Sequence, residues 1–308
     1  MERSLRRAAF GRATYAGWMP SLYEMAADVP FVAPVMVGAF DGWIDASGAA
    51  TAAAGLLAES GEVVARFDAD ALYDYRARRP VLDVVDGTLA RLEWPELTVR
   101  SVEAGGRHLL IMTGPEPDYH WRQLGTDVLD LCLRAGVVQW VSLGAIPAAV
   151  PHTRPVPILA TASREGLLHA DEAQGPQGLL RVPGAALSTL ELAVSGTGIP
   201  AVGFFAQVPH YVGGPFAIAS IALLEHLGRH LGVELPLGPL VGEAQEQRDR
   251  LDAAVAADED ASGYLQRLES LAGEDRLTSG EELAGEIERF LSEQSRDGGD
   301  DPGPFEGR

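Results

Sequence analysis

The sequence predicts an α/β protein, a three-layer α/β/α sandwich followed by a C-terminal helical module. Two observations support this prediction. Apolar stretches of strand length alternate with stretches of helical period between residues 31 and 231, which is typical of a mainly parallel sheet covered by helices on both faces. After about residue 235 the apolar residues repeat only at helical spacing. We therefore expect one covered sheet and a separate helical segment.

The elements of the sandwich follow from these periods. Predicted strands span residues 31–40, 62–67, 97–102, 108–113, 137–143, 157–162 and 201–208, and predicted helices span residues 46–59, 119–135, 184–194 and 216–231. Ala104-Gly105-Gly106 separates the third and fourth strands, which predicts a hairpin. Cys132 lies on the apolar face of the helix 119–135, so we expect a packed thiol rather than a nucleophile.

Three apolar stripes at helical spacing predict the C-terminal module. The stripes are Leu240, Ala244, Leu251 and Val255; Tyr264, Leu265, Leu268 and Leu271; and Leu283, Ile287, Phe290 and Leu291. Short helices cannot bury such stripes alone, so they must pack on one another, on the sandwich or on a neighbouring subunit. The predicted division is an N-terminal extension over 1–28, the sandwich over 29–237, the helical module over 238–294 and a disordered acidic tail over 295–308.

Composition excludes several classes of protein. A formal net charge of −20 disfavours nucleic acid and anionic membrane as partners. No apolar run approaches the ~18 residues that cross a bilayer, and no signal peptide is recognisable, so a cytoplasmic protein is predicted. The sequence contains no lysine, which excludes a Schiff-base lysine and a Walker phosphate loop. With a single cysteine, neither an intrachain disulfide nor a thiolate metal cluster can form.

Polar or aromatic turns follow three of the predicted buried strands. They are Asp41-Gly42-Trp43, Pro151-His152-Thr153-Arg154-Pro155 and Pro209-His210-Tyr211. In an open parallel sheet the ends of the strands share one edge, where ligands normally bind. The candidate ligand-binding residues at this edge are Asp41, Trp43, His152, Arg154, His210, Tyr211, Gly213 and Gly214.

The loop that contains His152 and Arg154 has two interpretations. Two prolines fix its backbone, and this fixed presentation suits an anion site or a general acid/base pair. The alternative is a rigid structural loop, in which Arg154 pairs with the carboxylate of Asp68, Asp70 or Asp74.

The other candidates at this edge also have alternatives. Gly213-Gly214-Pro215 precedes a predicted helix whose free N–H groups could bind a phosphate or carboxylate, but the same residues form ordinary turns. Asp41 and Trp43 could combine a carboxylate with a stacking surface for a planar ligand. Alternatively, Trp43 covers the core and Asp41 accepts hydrogen bonds from the N-terminus of a helix.

Two further clusters are candidate sites. Tyr73, Tyr75, Arg76 and Arg79, with Asp74 and Arg78 between them, form an aromatic and arginine cluster, which is typical of a subunit contact or a ligand site. His226 and His230 are four residues apart on a predicted helix, a spacing that zinc sites use. Position 227 is leucine and no third ligand is evident, so no metal and no cofactor are predicted.

Several motifs, in this order along the chain, carry a resemblance to a known family. They are Gly38-Ala39-Phe40-Asp41-Gly42-Trp43, Tyr73-Asp74-Tyr75-Arg76, Arg79-Pro80, Pro151-His152-Thr153-Arg154-Pro155, Gly175-Pro176, Pro209-His210-Tyr211 and Glu288-Arg289-Phe290-Leu291. From about residue 29 to residue 291 the chain resembles the proteasome assembly chaperone family, in the longer form found in actinobacteria.

This resemblance implies a fold like that of purine nucleoside phosphorylases and a tendency to form homo-oligomers. In eukaryotic and archaeal relatives it implies a role in building the outer ring of the proteasome. Several of those relatives end in a hydrophobic residue, a tyrosine and one last residue. Gly307 stands here where the tyrosine is expected.

These observations predict a non-catalytic, homo-oligomeric scaffold or assembly factor, with a trimer preferred and a proteasome-related or other protein as its client. The alternative is an enzyme resembling nucleoside phosphorylases or hydrolases, in which Arg154 binds an anion, His152 or His210 handles a proton and Trp43 stacks on a base. A phosphorylase needs a phosphate pocket with more than one arginine, and only Arg154 lies in the turns at this edge.

Overall fold

A nine-stranded sheet lies at the centre of the structure, a computed structural model that describes residues 10–12, 20–26, 31–176 and 178–272. The third predicted C-terminal stripe, from Leu283 to Leu291, and the predicted tail over 295–308 lie outside the described residues. None of the described helices is long and apolar enough to cross a membrane.

The strands and helices alternate as predicted between residues 35 and 231. The strands are β1 Phe10–Arg12, β2 Tyr23–Ala26, β3 Val35–Asp41, β4 Glu62–Phe67, β5 Val81–Val85, β6 Thr88–Glu93, β7 Thr98–Ala104, β8 Arg107–Pro115, β9 Gln139–Ala148, β10 Ile158–Ala162 and β11 Ala201–Pro209. The helices are α1 Ala49–Ala58, α2 Ala69–Leu72, α3 Trp121–Ala135, α4 Ala186–Ser195, α5 Ala217–Leu231, α6 Leu240–Ala256 and α7 Glu259–Ala272.

The strands of the large sheet lie in the order β1-β2-β4-β7-β8-β3-β9-β11-β10. The prediction of a mainly parallel sheet is right for its centre and wrong for its flanks. β3 pairs in parallel with β8 and β9, and β9 pairs in parallel with β11. The other neighbouring strands pair antiparallel. A tight turn at Gly105-Gly106 joins β7 to β8, and such a short connection can only join antiparallel strands.

Helices cover both faces of the sheet, which confirms the predicted α/β/α sandwich with C-terminal helices. Side chains of β3 alternate between two cores: Val35 and Val37 face α1 and α5, whereas Met36 and Phe40 face α3 and α4. Cys132 is buried in the second core, as predicted, and burial raises the pKa of its thiol to about 12. Such a thiol is protonated and inert at neutral pH.

The sheet extends into the segment 1–28 that the sequence analysis treats as an extension. β2 pairs with β4, and β1 pairs with β2. Both strands are short and lie at one side of the sheet. A length of 3 or 4 residues gives no recognisable period in the sequence.

A second sheet, the hairpin of β5 and β6, projects from the body of the protein. Its turn is Asp86-Gly87, and both residues have positive φ, 50° and 76°. This is the backbone of a type I′ turn, for which Asp-Gly is the preferred pair. Every residue of both strands is exposed. This hairpin is not among the predicted elements, although Asp-Gly between apolar residues is a signal for one.

The helix α6 follows α5 closely, and α6 and α7 contact each other. They correspond to the first two predicted C-terminal stripes. Leu240 and Leu268 are the buried residues of α6 and α7, and Ala244 and Leu251 of α6 pack on the core of the sandwich. The structure therefore places part of the helical module on the sandwich.

The strand ends define one edge of the sheet, which we call the carboxyl edge. β3, β8, β9 and β11 run in the same direction, so Asp41, Pro115, Ala148 and Pro209 lie at this edge. β4 is antiparallel to β7, which is antiparallel to β8, so β4 also ends there. The loops that the sequence analysis singled out therefore share the carboxyl edge.

Gly114 allows a close approach of two chain segments at this edge. A Cβ atom at position 114 would collide with the carbonyl oxygen of Glu96 and lie 3.0 Å from the Cα of Leu97. We expect Gly114→Ala to lower the free energy of unfolding by about 1–3 kcal/mol or more, because backbone atoms must move. Urea denaturation measures this change.

Gly55 in α1 provides the matched control. Nothing lies within 4 Å of a Cβ atom built there. Gly55→Ala is expected to raise the free energy of unfolding by up to about 1 kcal/mol, because alanine is the better helix former. Equal effects at the two positions would show that the close approach at Gly114 is not a constraint.

Candidate functional site

His152 is the most constrained of the candidate residues at the carboxyl edge. Its side chain is 0% exposed. Its backbone N–H donates to Tyr211 Oη at 2.8 Å, and Tyr211 Oη lies 2.8 Å from Nδ1. On the other side of the ring, Nε2 lies 3.1 Å from Asp252 Oδ1 in α6. A neutral ring with its proton on Nε2 satisfies both contacts, because Nδ1 then accepts from the tyrosine hydroxyl and Nε2–H donates to the carboxylate.

Helix α7 contacts the neighbouring residues of the same edge. Tyr264 Oη lies 3.2 Å from His210 Nε2, and Thr153 Oγ1 donates to Glu269 Oε1 at 2.5 Å. The rings of His210, Tyr211 and Tyr264 contact one another edge to face, with centroids 5.6–6.4 Å apart. Burial raises the pKa of Tyr211, so its hydroxyl stays protonated and available as a donor. The two predicted acid/base residues thus contact the C-terminal helices, His152 through α6 and His210 through α7.

The first turn of α5 is the predicted anion site. The Ala217 N–H, which begins this helix, donates to Gln247 Oε1 in α6 at 2.7 Å. Gly213 and Gly214 form an exposed turn before the helix, and Gly214 has a φ of +82°. Since a side chain of α6 already binds the helix N-terminus, the arrangement favours the ordinary-turn interpretation.

Arg154 does not pair with the predicted carboxylates. It is exposed and forms no ion pair within the described residues. Asp68 caps α2, Asp70 accepts from the Tyr75 hydroxyl at 2.7 Å, and Asp74 accepts from the Arg76 N–H at 2.9 Å. The prediction that one of them fixes Arg154 is therefore wrong, because each carboxylate is engaged by its own loop.

Asp41 does not play the predicted capping role either. Asp41 is exposed, and its nearest charge is Arg78, whose Nη1 lies 3.7 Å from Oδ2. The residue that caps α1 is Asp45, which accepts from the Ala50 N–H at 2.7 Å and contacts the Thr51 hydroxyl. Burial raises the pKa of Asp45, while these hydrogen bonds oppose the shift. Trp43 is half-buried.

Glu116 is a residue of this edge that the sequence analysis missed. Its Oε2 accepts from the Trp43 N–H at 3.2 Å, and its Oε1 accepts from the Ala186 N–H at 2.7 Å. Ala186 begins α4, so one carboxylate fixes both the turn after β3 and the start of a helix. These contacts join residues about 70 positions apart in the chain, and no local pattern signals them.

The predicted interface cluster divides into a buried and an exposed part. Tyr73 is 3% exposed and its hydroxyl donates to the carbonyl of Pro115 at 2.9 Å, so its assignment to an interface is wrong. Arg76 and Arg79 are exposed. Tyr75 is half-buried and contacts Trp94 at the base of the hairpin, with ring centroids 4.7 Å apart.

The fold and the carboxyl edge together define an α/β/α sandwich protein whose strand ends are covered by its own C-terminal helices. Proteins of known structure share this architecture. Mycobacterium tuberculosis Rv2714, a protein of unknown function, is 30% identical, with a TM-score of 0.79 over 90% of this chain and 99% of its own. Mycobacterium tuberculosis Rv2125, described as a proteasome-assembly chaperone homologue, is 35% identical, with a TM-score of 0.68 over 75% of this chain and 99% of its own.

More distant proteins share the fold alone. The archaeal proteasome activator PbaB of Pyrococcus furiosus is 16% identical, with a TM-score of 0.58 over 75% of this chain and 97% of its own. No curated protein matches the chain. The sequence profile of the PAC2 family matches residues 39–255, so the chain belongs to the PAC2 family. The resemblance drawn from the sequence motifs is therefore confirmed.

The contacts of His152 predict a structural effect of Tyr211. We expect Tyr211→Phe to lower the free energy of unfolding by about 1–3 kcal/mol, because the buried N–H and Nδ1 of His152 lose their partner. Arg154→Ala is the matched control in the same loop, and its effect should stay within about 0.5 kcal/mol because the side chain is exposed. Chemical denaturation of both variants measures these changes. A larger loss for Arg154→Ala than for Tyr211→Phe would contradict this account of the loop.

Proposed function

We propose that this chain is a non-catalytic, self-associating assembly factor of the chaperone type, acting in the cytoplasm on a protein client. The observation that carries the proposal is that His152 contacts Asp252 of α6 and His210 contacts Tyr264 of α7, while the Tyr211 hydroxyl bonds to His152. A catalytic acid or base must reach its substrate, whereas these groups are engaged by the protein's own helices. The relative Rv2125, at 35% identity, supports a chaperone-like role.

The hairpin of β5 and β6 supports a role in protein contacts. Leu82 pairs with Leu92 and Val84 pairs with Leu89, so these four side chains lie on one face of the hairpin. Their exposed fractions range from 44% to 72%. A two-stranded hairpin is only marginally stable in water, and an exposed apolar face of this kind is typical of an interaction site. We propose this face as the contact between copies of the chain.

Net charge restricts where two copies of the chain can associate. Each chain has a formal net charge of −20, so two copies repel each other over most of their surface. Arg76 and Arg79 are exposed in the loop that leads to the hairpin, where their charge offsets part of this repulsion. The preferred assembly is a closed trimer, in which each hairpin contacts the next copy. We also propose that the sandwich has a fold like that of purine nucleoside phosphorylases. The domain division is the one predicted from the sequence.

The hairpin contact predicts a change of assembly state. We expect the wild-type protein to be a trimer at tens of micromolar and the double variant Leu82→Glu/Leu89→Glu to be a monomer, because two carboxylates replace the apolar face. Leu192→Glu is the matched control: Leu192 is 74% exposed on α4 and Leu89 is 72% exposed on the hairpin. Light scattering measures the molar mass. A monomeric wild type, or a double variant with the wild-type mass, would overturn the hairpin contact.

The absence of catalysis has a separate test. Ligands that bind only the native state raise its stability, by about 2.7 kcal/mol at a hundred times the dissociation constant. We expect phosphate, ribose phosphate and nucleosides to leave the unfolding temperature of the wild-type protein unchanged. Arg154→Ala is measured beside it. A phosphate-dependent rise that is confined to the wild type would favour the enzyme and reject the non-catalytic proposal.

A further inference from the structure

Three histidines and a glutamate meet on the face of the sheet that α5 covers, away from the carboxyl edge. His226 and His230 lie near the C-terminal end of α5, and His169 and Glu172 lie in the segment between β10 and α4. Gln139 shows where the cluster lies in the sheet. Gln139 is the first residue of β9, and its side chain contacts His230. The cluster is therefore near the edge where the parallel strands begin, opposite the carboxyl edge.

The carboxylate of Glu172 is the centre of the cluster. Its Oε1 lies 2.9 Å from His230 Nδ1 and 3.5 Å from His226 Nε2. Its Oε2 accepts from the backbone N–H of His169 at 2.7 Å. One ligand atom from each of His169, Glu172 and His230 lies within 4.8 Å of the other two. The side chains of Glu172 and His230 are each 4% exposed, while His169 is exposed.

His226 supplies an independent sign of a missing partner. Its side chain is 7% exposed, and its Nε2 is buried without a hydrogen-bond partner. This nitrogen faces Glu172, at a distance too long for a good hydrogen bond. A buried polar atom without a partner is typical of a site for an ion or a water molecule.

We propose that His169, Glu172 and His230 bind a divalent metal ion of the zinc class, with Nε2 of His226 as the fourth ligand. Imidazole nitrogens with one carboxylate oxygen are a donor set that suits Zn²⁺. Four protein ligands leave no position for a substrate, so the ion is structural. In the sequence, His226 and His230 lack a third ligand, and the fold brings Glu172 and His169 to them.

Metal binding requires local movements, because His226 is not part of the group of donor atoms that lie within 4.8 Å of one another. Zinc bonds to nitrogen and oxygen are about 2.0–2.2 Å long, so the donor atoms of a tetrahedral site lie about 3.4 Å apart. The ring of His169 now stacks on that of His230, with centroids 5.1 Å apart, and must turn edge-on. It is exposed and therefore free to turn.

Two neighbouring side chains adjust to the protons of the ligand rings. Gln139 Nε2 lies 2.8 Å from His230 Nε2, and the amide can turn so that its oxygen accepts a proton there. Arg229 Nη2 lies 3.1 Å from His226 Nδ1. A metal at Nε2 places the proton of the neutral ring on Nδ1, so Arg229, which is exposed, must turn to solvent. The bound ion then fixes the segment 163–175 to α5.

The test uses the full chain and Zn²⁺ itself. Equilibrium dialysis with elemental analysis should find one Zn²⁺ per wild-type chain. Glu172→Gln and His169→Ala should each weaken binding at least about 10-fold, the smallest loss expected for a residue that contacts a metal site. His120→Asn is the matched control, because His120 is an exposed histidine outside the cluster, at the N-cap of α3. It should retain the wild-type affinity.

Proteolysis provides a second measurement. Arg164 is exposed in the segment that the ion would fix. We expect Zn²⁺ to slow tryptic cleavage after Arg164 in the wild type and in His120→Asn, and to have no effect in His169→Ala. His169 is exposed, so its variant should fold even if Glu172→Gln does not. The proposal is overturned if the wild type binds no Zn²⁺, if His169→Ala binds as tightly as the wild type, or if His120→Asn weakens binding equally.

Discussion

The parallel pairing of β3, β9 and β11 is the constraint on which the other features depend. Strands that pair in parallel need covering on both faces, which explains the two layers of helices and the two cores. The same pairing brings the ends of these strands to one edge. The loops with the most unusual residues therefore meet there, although they are separated by up to about 170 positions in the sequence.

At that edge, hydrogen-bond satisfaction determines what the residues can do. A buried imidazole without partners is costly, and His152 avoids this cost through Tyr211 and Asp252. The same contacts engage both of its ring nitrogens. Polar residues that look catalytic in the sequence are thus also the residues that attach a polar pair of helices to the sandwich. Only the contacts distinguish the two roles.

Local patterns were sufficient to predict most elements of the sandwich. The strand 62–67 has the predicted bounds, because turn residues flank an apolar stretch on both sides. The hairpin β5–β6 was missed because its alternation is weak and both of its faces are exposed, which leaves only the Asp86-Gly87 turn as a signal. The antiparallel flanks were missed because strand direction depends on connections rather than on period.

The contacts of the candidate site were less accessible to sequence reasoning. The residue that caps α1 is Asp45 rather than Asp41. Both are aspartates before the helix, four residues apart, and the sequence pattern does not distinguish them. Glu116 and the partners of His230 come from distant parts of the chain. Such contacts depend on how the strands are arranged in the sheet, and local patterns in a single sequence do not reveal that arrangement.

The distance along the chain between His152 and Asp252 also means that the ribosome makes the histidine well before its carboxylate partner. Asp252 is 100 residues downstream of His152, and Tyr211 is 59 residues downstream. At a translation rate of about 5–20 residues per second, the ribosome makes the carboxylate about 5–20 s after the histidine. A sandwich that folds as it leaves the ribosome has its strand ends uncovered until α6 and α7 follow, and His152 is then held only by Tyr211. During that interval the carboxyl edge is open to whatever the emerging chain meets.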